Sequence, residues 1–384
     1  MKNENSNKLR SIISKNINTI VLVSALLIIG IVLALASDGV FSSFRNLSNL
    51  FRQMSVVTIV ASGIFLVILC GNIDLSVGSL VGMLGGIAAV AMTKWGWGSV
   101  QTILFVLVIG ALIGAFHGFL VSYIKVPAFI VTLGGYMAYR GLLVRITKGA
   151  TISNLKPSFA KIGQEYIPSL AGWIFAAFLI IMFAYTIWRK RKMRSKYNLE
   201  NPSLIFDSVK LIIIAAITMI FVYLLNSYEG VPIPVLIMLV MVAIVTVIAE
   251  KTSFGRSVYA VGGSSEAARY SGINVRRIAF MTFVLSGLTA AIGSVVYTAR
   301  LNAATTQAGY LLEMDAIAAV VIGGTSLAGG VGRASKVMLG AILMAMIDNG
   351  MSLLNVQSEW QLVVKGAVLV LAVTLDVLSN KKRY

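Results

Sequence analysis

The sequence predicts an all-α protein with about 10–12 membrane-spanning helices. Hydrophobic residues make up 58% of the 384 residues, charged residues only 12%, and mean hydropathy is +0.89. Soluble domains carry roughly 25% charged residues, so too little polar surface remains here to cover a globule in water. About twelve long apolar runs divide the chain, as a multi-span protein requires.

The same composition excludes several other classes. A disordered chain needs low hydrophobicity, and a disulfide scaffold needs paired cysteines, whereas Cys70 is the one cysteine. The net charge of +18 would indicate nucleic-acid binding in a soluble protein. In a membrane protein it predicts basic cytoplasmic loops and contacts with membrane lipids. We therefore expect no nucleic-acid partner.

A span needs about 20 mainly apolar residues to cross roughly 30 Å of hydrocarbon. The first apolar run follows a polar segment without a cleavage site, which favours a retained helix over a signal peptide. In chain order the predicted spans are Ile20–Ala36, Ser55–Cys70, Leu75–Met92, Val100–Ile124, Ala128–Ile146, Ser169–Trp188, Val209–Leu225, Ile233–Ala249, Ala279–Thr298, Ala316–Ala328, Val337–Leu354 and Trp360–Leu378.

Two connections predict irregular backbone at membrane depth. Only Gly71–Asp74 separates the second and third runs, too few residues for a solvated loop unless a helix is broken or re-entrant. The tenth run ends in the glycine-rich segment GGTSLAGGVGR. Such backbone is tolerated only where protein or a water-filled cavity surrounds it.

Glycine repeats predict where helices pack. Lipid removes the hydrophobic drive between helices, so close backbone approach must hold the bundle together. We expect two glycine stripes to face each other or a neighbouring helix. They are Gly78, Gly82 and Gly86 on the third run, and Gly110, Gly114 and Gly118 on the fourth.

Basic residues set the orientation. With the N-terminus inside, 22 of the 32 Lys and Arg residues fall in cytoplasmic segments, which predicts that both termini are cytoplasmic. Arg140 and Arg145 lie within a span and are expected to snorkel outward.

Lys365 also lies within a span, and Asp348 is the one carboxylate predicted well inside the membrane. Both residues lie roughly 8–9 Å below the outer end of their helices, which predicts an ion pair between the last two spans. His117 is the sole histidine, and a metal site needs several ligands. We therefore expect its side chain to be packed in the bundle or to line the pathway.

The segment 250–277 predicts a short helix. Gly262 and Gly263 form a turn, Ser264 or Ser265 caps the helix, and Gly272 suits its left-handed end. Ala267, Tyr270 and Ile273 would share one face, opposite Glu266 and Arg269. This design suits a peripheral partner, although a solvated basic loop remains the alternative.

The run EAARYSGI resembles the coupling motif of ABC-importer permeases, with Glu-Ala-Ala and then glycine after three further residues. Over nearly the whole chain, GNIDLSVGSLVG, KVPAFIVTLGG, FGRSVYAVGGSSEAARYSGI, DAIAAVVIGGTSLAGGVG and IDNGMSLL resemble the sugar permeases of the second carbohydrate-uptake family. An insertion at about 157–226, with two extra runs around RKRKMRSK, resembles the xylose or multiple-monosaccharide type. D-xylose is the expected substrate, with galactose, arabinose or ribose as alternatives.

The resemblance implies one permease domain over 1–384, with two internal repeats and a fold like that of type II importers. It implies a homodimer in a bacterial inner membrane, an extracytoplasmic sugar-binding protein and a cytoplasmic ABC ATPase that docks on the coupling loop, 250–278. The chain has no G-x-x-x-x-G-K-[ST] loop, so it cannot itself bind ATP in the P-loop manner. For a transporter subunit we also expect no cofactor and no catalytic residue. The coupling residues would be Gly263, Glu266, Ala267, Ala268, Arg269, Tyr270, Gly272 and Ile273.

Repeat-built transporters place substrate contacts at glycine-interrupted segments in matching positions. Asn72, Asp74 and Ser76 in one half, with Thr325 and Ser326 in the other, are the candidates, although these residues could instead be helix caps and packing turns. The rival functions are an ion-coupled secondary transporter, which would need several intramembrane carboxylates, and an intramembrane enzyme, for which a catalytic constellation is missing.

Overall fold

A computed structural model describes residues 20–380 and shows a polytopic helical bundle. Within this range nine helices are long and apolar enough to cross a membrane, and Ile20–Ala36 and Val77–Thr93 are shorter apolar helices. The chain is therefore a multi-pass membrane protein.

The helices are α1 (Ile20–Ala36), α2 (Phe44–Leu69), α3 (Val77–Thr93), α4 (Ser99–Phe119, extended by the π-helical Leu120–Ile124), α5 (Ala128–Thr147), α6 (Pro157–Gln164), α7 (Ser169–Lys196), α8 (Leu204–Asn226), α9 (Ile233–Lys251), α10 (Ser253–Gly263), α11 (Ser265–Tyr270), α12 (Val275–Leu301), α13 (Leu312–Ile322), α14 (Ala334–Leu353) and α15 (Ser358–Asn380). The strands are β1 (Ile152–Ser153), β2 (Tyr166–Ile167), β3 (Val231–Pro232) and β4 (Ala303–Ala304).

Two short antiparallel strand pairs mark one end of the bundle, which we call the strand side. Strand β1 pairs with β4, and β2 pairs with β3. These pairs gather the ends of α5 and α12 and the starts of α7 and α9. The opposite end, where α2 ends and α10 and α11 lie, is called the motif side.

Helix α2 is the centre of the bundle, with 19 of its 26 residues buried. It contacts α9, α12, α13 and α14, so four later segments pack around one early helix. Its serine and threonine hydroxyls donate to carbonyls one turn earlier, as Thr58 does to Met54 and Ser62 to Thr58. Most buried polar side chains of this helix are therefore hydrogen-bonded, whereas Ser48 Oγ has no partner among the described residues.

The glycine stripes pack against different neighbours rather than against each other. A side chain at Gly110, Gly114 or Gly118 would collide with α12. The α3 stripe faces α5 and the chain that leads into α13: Gly78 contacts Gly309 and Glu313, and Gly82 and Gly86 contact Leu143. The prediction of close approach to a neighbouring helix is confirmed for both stripes.

The α7–α8 hairpin forms the edge of the bundle. Both helices are largely exposed, and Phe51 of α2 packs edge-on against Phe221 of α8 with ring centroids 4.9 Å apart. Arg191 pairs with Asp207 at 2.6 Å and closes the hairpin on the motif side. The two extra apolar runs of the insertion are therefore two long lateral helices.

The tenth predicted span is wrong in its bounds. Helix α13 ends at Ile322, and residues 323–333 form a loop instead of continuing the helix to Ala328. Its 11 residues rise about 16 Å, roughly half the hydrocarbon thickness. The rest of this crossing is made by irregular chain from 302 to 311, which descends from the strand side.

Candidate coupling site and translocation junction

Helix α11 presents an exposed tip on the motif side. The Ser264 hydroxyl accepts a hydrogen bond from the Ala267 amide at 3.2 Å and caps the helix. Gly272 has φ +79°, a left-handed conformation that glycine adopts without strain. The short capped helix expected in segment 250–277 is thus present.

The exposed face of α11 differs from the predicted one. Ala268 is the buried residue of the helix, whereas Glu266, Ala267 and Arg269 are exposed. Tyr270 is 76% exposed, and the Arg269 guanidinium lies 5.6 Å from the centre of its ring. Gly262 and Gly263 are the last residues of α10 rather than a free turn, so the chain reverses at Ser264.

Helix α10 holds α11 against two loops of the membrane core. A side chain on Gly262 would collide with the Leu69 carbonyl, and the Gly330 amide donates to that same carbonyl at 2.9 Å. The backbone of Gly329 is packed against Gly71. The end of α2, the end of α10 and the α13–α14 loop therefore meet at one glycine contact, which we call the glycine junction.

Tyr259 ties the same loop to α10. Its hydroxyl donates to the Gly332 carbonyl at 2.8 Å. Burial, and then the Glu250 carboxylate, raise the pKa of the Tyr259 phenol above its ordinary value, while Arg333 opposes this rise. The phenol therefore stays protonated and keeps this hydrogen bond at neutral pH.

A second contact lies inside the bundle, where the N-terminal ends of α3 and α13 meet. Gly78 is packed against Gly309 and Glu313 without room for a Cβ atom. The segment 70–76 reaches this contact from the motif side, and the segment 302–311 reaches it from the strand side. We call this contact the helix junction, and it lies about 16 Å from the motif side, given the length of α13.

Asp74 organises the α3 side of the helix junction. It is buried, and its Oδ1 accepts from the Ser76 amide and hydroxyl at 3.0 and 2.7 Å. Its Oδ2 accepts from the Ser286 hydroxyl of α12 at 3.1 Å. Asp74 therefore links the start of α3 to α12. The sequence favoured only a local cap of α3 by this residue.

His117 and Tyr139 form a buried pair beside the junction. Tyr139 Oη lies 2.7 Å from His117 Nε2, and the two rings are stacked with centroids 5.6 Å apart. Gly135 packs directly on the imidazole. The histidine is thus packed, as one of the two predicted alternatives had it.

The α13 side of the junction holds the buried Glu313 carboxylate, and the half-buried Arg140 of α5 contacts the chain that precedes α13. Glu313 is 1% exposed, and its Oε2 has no hydrogen-bond partner within the described residues. Arg140 Nη1 donates to the carbonyls of Thr306 and Ala308 at 3.2 and 2.9 Å. The outward snorkelling predicted for Arg140 is therefore wrong, because these re-entrant carbonyls attract the guanidinium inward; Arg145 is exposed.

Thr325 and Ser326 do not lie at the helix junction. Thr325 packs against Gly332 within the α13–α14 loop. Ser326 Oγ and the Leu327 amide each lie 3.3 Å from Asp376 Oδ2 of α15. The counterpart of the segment Asn72–Ser76 inside the bundle is the chain around Gly309, not the segment with these two hydroxyls.

Lys365 of α15 contacts two carboxylates. Its Nζ lies 2.8 Å from Asp348 Oδ2, the predicted partner, and 3.0 Å from Asp315 Oδ2. Asp315 and Glu313 were not predicted as intramembrane carboxylates, because both precede the tenth predicted run. Both carboxylates lie in the first turn of α13, which begins at Leu312, before the predicted run. Within residues 20–380, no cluster of His, Cys, Asp or Glu has the composition of a metal site.

Residues 46–373 match the profile described as "Branched-chain amino acid transport system / permease component". The chain belongs to this permease family. It is 43% identical to the xylose transport system permease protein XylH of Escherichia coli (strain K12) over 96% of this chain and 94% of the relative.

The XylH protein of Haemophilus influenzae is 43% identical to this permease over 98% of this chain and 99% of the relative. The ribose import permease protein RbsC of Escherichia coli (strain K12) is 34% identical over 94% of this chain and 93% of the relative. No solved structure matches the permease. The expected resemblance to sugar permeases is confirmed.

Proposed function

We propose that this permease is the membrane subunit of an ATP-driven importer for D-xylose in a bacterial inner membrane. The observation that carries the proposal is the exposed α11, capped by Ser264 and fixed through Gly262 to the glycine junction. The XylH relatives, which are named for xylose transport, support the choice of sugar.

In this proposal the motif side faces the cytoplasm, so that both termini are cytoplasmic. An ABC ATPase grips α11 through Glu266, Arg269 and Tyr270, with the remaining predicted coupling residues shaping that helix. The extracytoplasmic sugar-binding protein docks on the strand side. Two copies of the permease, embedded in membrane lipids, form the transport unit.

The glycine junction gives the mechanism. Movement of α11 by the closing ATPase is passed through α10 to Leu69 and to the α13–α14 loop. The chain after Leu69 leads to Gly78, and the α13–α14 loop is joined through α13 to the chain at Gly309, which contacts Gly78. One displacement on the motif side can therefore shift both broken segments together, as an alternating transporter requires.

The sugar path would pass the helix junction. Asp74 and Ser76 stay candidates for contacts along it, and Asn72, Thr325 and Ser326 would line its motif-side part. Hydroxyl and carboxylate groups at these positions can exchange hydrogen bonds with a neutral sugar.

The test is reconstitution in vesicles with the cognate ATPase and sugar-binding protein. Wild-type vesicles should hydrolyse ATP faster when the loaded binding protein is present and should accumulate xylose in preference to ribose. Glu266→Lys and Gly272→Pro should abolish this stimulation while membrane insertion persists. Wild-type stimulation in both variants would exclude α11 as the coupling site.

A second candidate is ion-coupled secondary transport. The buried carboxylates of Asp74, Glu313 and Asp315, in addition to Asp348, favour it more than the sequence did. Uptake that needs no ATP and is abolished by a protonophore would establish this alternative. Uptake that persists with the protonophore and requires ATP would exclude it.

A further inference from the structure

A polar cup lies at the strand-side end of α2, far from both junctions. It encloses about 470 Å³, within the range of roughly 300–1,000 Å³ typical of small-molecule sites. Its polar and aromatic lining consists mainly of Arg45, Asn46, Asn49, Arg52, Tyr166 and Tyr228. We propose that this cup is a binding subsite for a neutral monosaccharide, entered before the sugar reaches the helix junction.

The chemistry of the lining fits a sugar. Guanidinium and amide groups donate to sugar hydroxyls, and amide and phenol oxygens accept from them. Tyr166 and Tyr228 lie edge to face with ring centroids 6.0 Å apart, so they offer apolar surfaces beside these polar groups. Among residues 20–380 the lining contains no carboxylate, which separates the cup from the acidic helix junction.

Arg52 is held in place before any ligand arrives. Its Nη1 donates to Tyr166 Oη at 3.0 Å, and its Nη2 donates to the Gly163 carbonyl at 2.9 Å. Its Nε is buried without a hydrogen-bond partner among residues 20–380. Two hydrogen bonds thus fix the guanidinium beside Tyr166 in the lining of the cup.

The floor of the cup leads into the core. Asn46 and Asn349 exchange two amide hydrogen bonds of 2.8 and 2.9 Å, and these fix α2 to α14. Asn349 follows Asp348, the residue that binds Lys365. An occupant that contacts Asn46 would therefore touch the contact between α2 and α14, through which a bound sugar can influence the bundle.

The choice of a sugar rests on the proposed function, because the cup lies on the side where that proposal places the sugar-binding protein. A sugar released there would meet the cup before the core of the bundle.

The experiment measures binding of radiolabelled D-xylose to the full-length permease in nanodiscs, without ATPase or binding protein. Wild type should bind saturably. Arg52→Gln should weaken binding at least tenfold, and Arg145→Gln, an exposed arginine also on the strand side, should leave it unchanged. Because Arg52 also supports the Gly163 chain, Asn49→Ala at an exposed position provides a second variant, expected to weaken binding several-fold.

A tyrosine series separates ring contact from hydroxyl contact. Tyr228→Ala should lose most binding, whereas Tyr228→Phe keeps the ring and should retain most of it. In the assembled importer, Arg52→Gln and Asn49→Ala should raise the KM for uptake and leave the affinity for the loaded binding protein unchanged.

Three results would overturn the inference. The first is that wild type in nanodiscs binds no xylose, and the second is that the cup variants bind xylose as wild type does. The third is that the variants lose only affinity for the binding protein, which would make the cup a protein-docking surface. In each case wild-type importer that still takes up xylose leaves the proposed function standing. An assembled importer that moves no monosaccharide would instead refute the proposed function.

Discussion

Lys365 of α15 bridges Asp315 of α13 and Asp348 of α14, with Nζ 3.0 and 2.8 Å from the two carboxylates. One cation therefore holds three helices, and two of them flank the loop of the glycine junction. All three side chains are largely buried, so removing the cation leaves two like charges close together.

Lys365→Met should be strongly destabilising, because it leaves the buried carboxylates of Asp315 and Asp348 without their cationic partner. Removing one partner of a buried pair typically costs about 3–5 kcal/mol. Asp348→Asn should cost less, since Asp315 still pairs with the lysine. Thermal unfolding in detergent measures the order, and the triple variant Lys365→Met, Asp315→Asn, Asp348→Asn should recover much of the loss. Equal losses from the two single variants would show that Asp315 contributes nothing.

The sequence predicted the class of fold, most spans and the Asp348–Lys365 contact because each depends on local pattern: apolar length, charge position and a short hairpin. The position of α13 depends on a non-local contact instead. Gly78 packs against the backbone of Gly309, which lies more than two hundred residues later in the sequence. The spacing of apolar residues cannot predict such a contact. The inward orientation of Arg140 could not be predicted for the same reason, since its partners are the carbonyls of Thr306 and Ala308 in the chain before α13.

Adjacent glycines give a matched test of the glycine junction. A methyl group at Gly262 would collide with the backbone of Leu69 and Gly330, whereas one at Gly263 would meet no described residue within 4 Å. Gly262→Ala should therefore destabilise the permease by about 1–3 kcal/mol, as overpacking does, and break the coupling of ATP hydrolysis to transport. Gly263→Ala should match wild type in thermal unfolding. Equal stability of the two variants would contradict the close contact.

Tyr270 offers a test of the proposed docking surface that does not disturb the fold. Because its side chain is 76% exposed, Tyr270→Ala should leave the melting temperature unchanged. A buried aromatic anchor in an interface contributes more than about 1.4 kcal/mol, or tenfold in affinity, so binding of the ATPase should weaken at least tenfold. Tyr197, 64% exposed at the end of α7, supplies the control Tyr197→Ala. Unchanged ATPase affinity in Tyr270→Ala would remove this residue from the interface.

The His117–Tyr139 pair should contribute to stability beside the helix junction. Tyr139→Phe removes the 2.7 Å contact and leaves the buried imidazole without that partner, which costs about 1–3 kcal/mol. Tyr136→Phe, one turn earlier on α5 and only half-buried, should be close to neutral. Chemical denaturation of both variants in the same detergent decides the matter, and similar midpoints would show that the phenol hydroxyl is dispensable.

The orientation of the permease can be tested with its own single cysteine left in place. Cys70 is buried, and desolvation keeps such a thiol in its unreactive form, so an added exposed cysteine should dominate labelling. Ser265→Cys lies on α11 at the motif side, and Thr151→Cys lies beside β1 at the strand side, both at exposed positions. In intact cells a membrane-impermeant maleimide should label Thr151→Cys at once and Ser265→Cys only after the membrane is opened. The opposite order would place α11 outside the cell, where no ATPase could reach it, and would refute both the orientation and the coupling proposed for this helix.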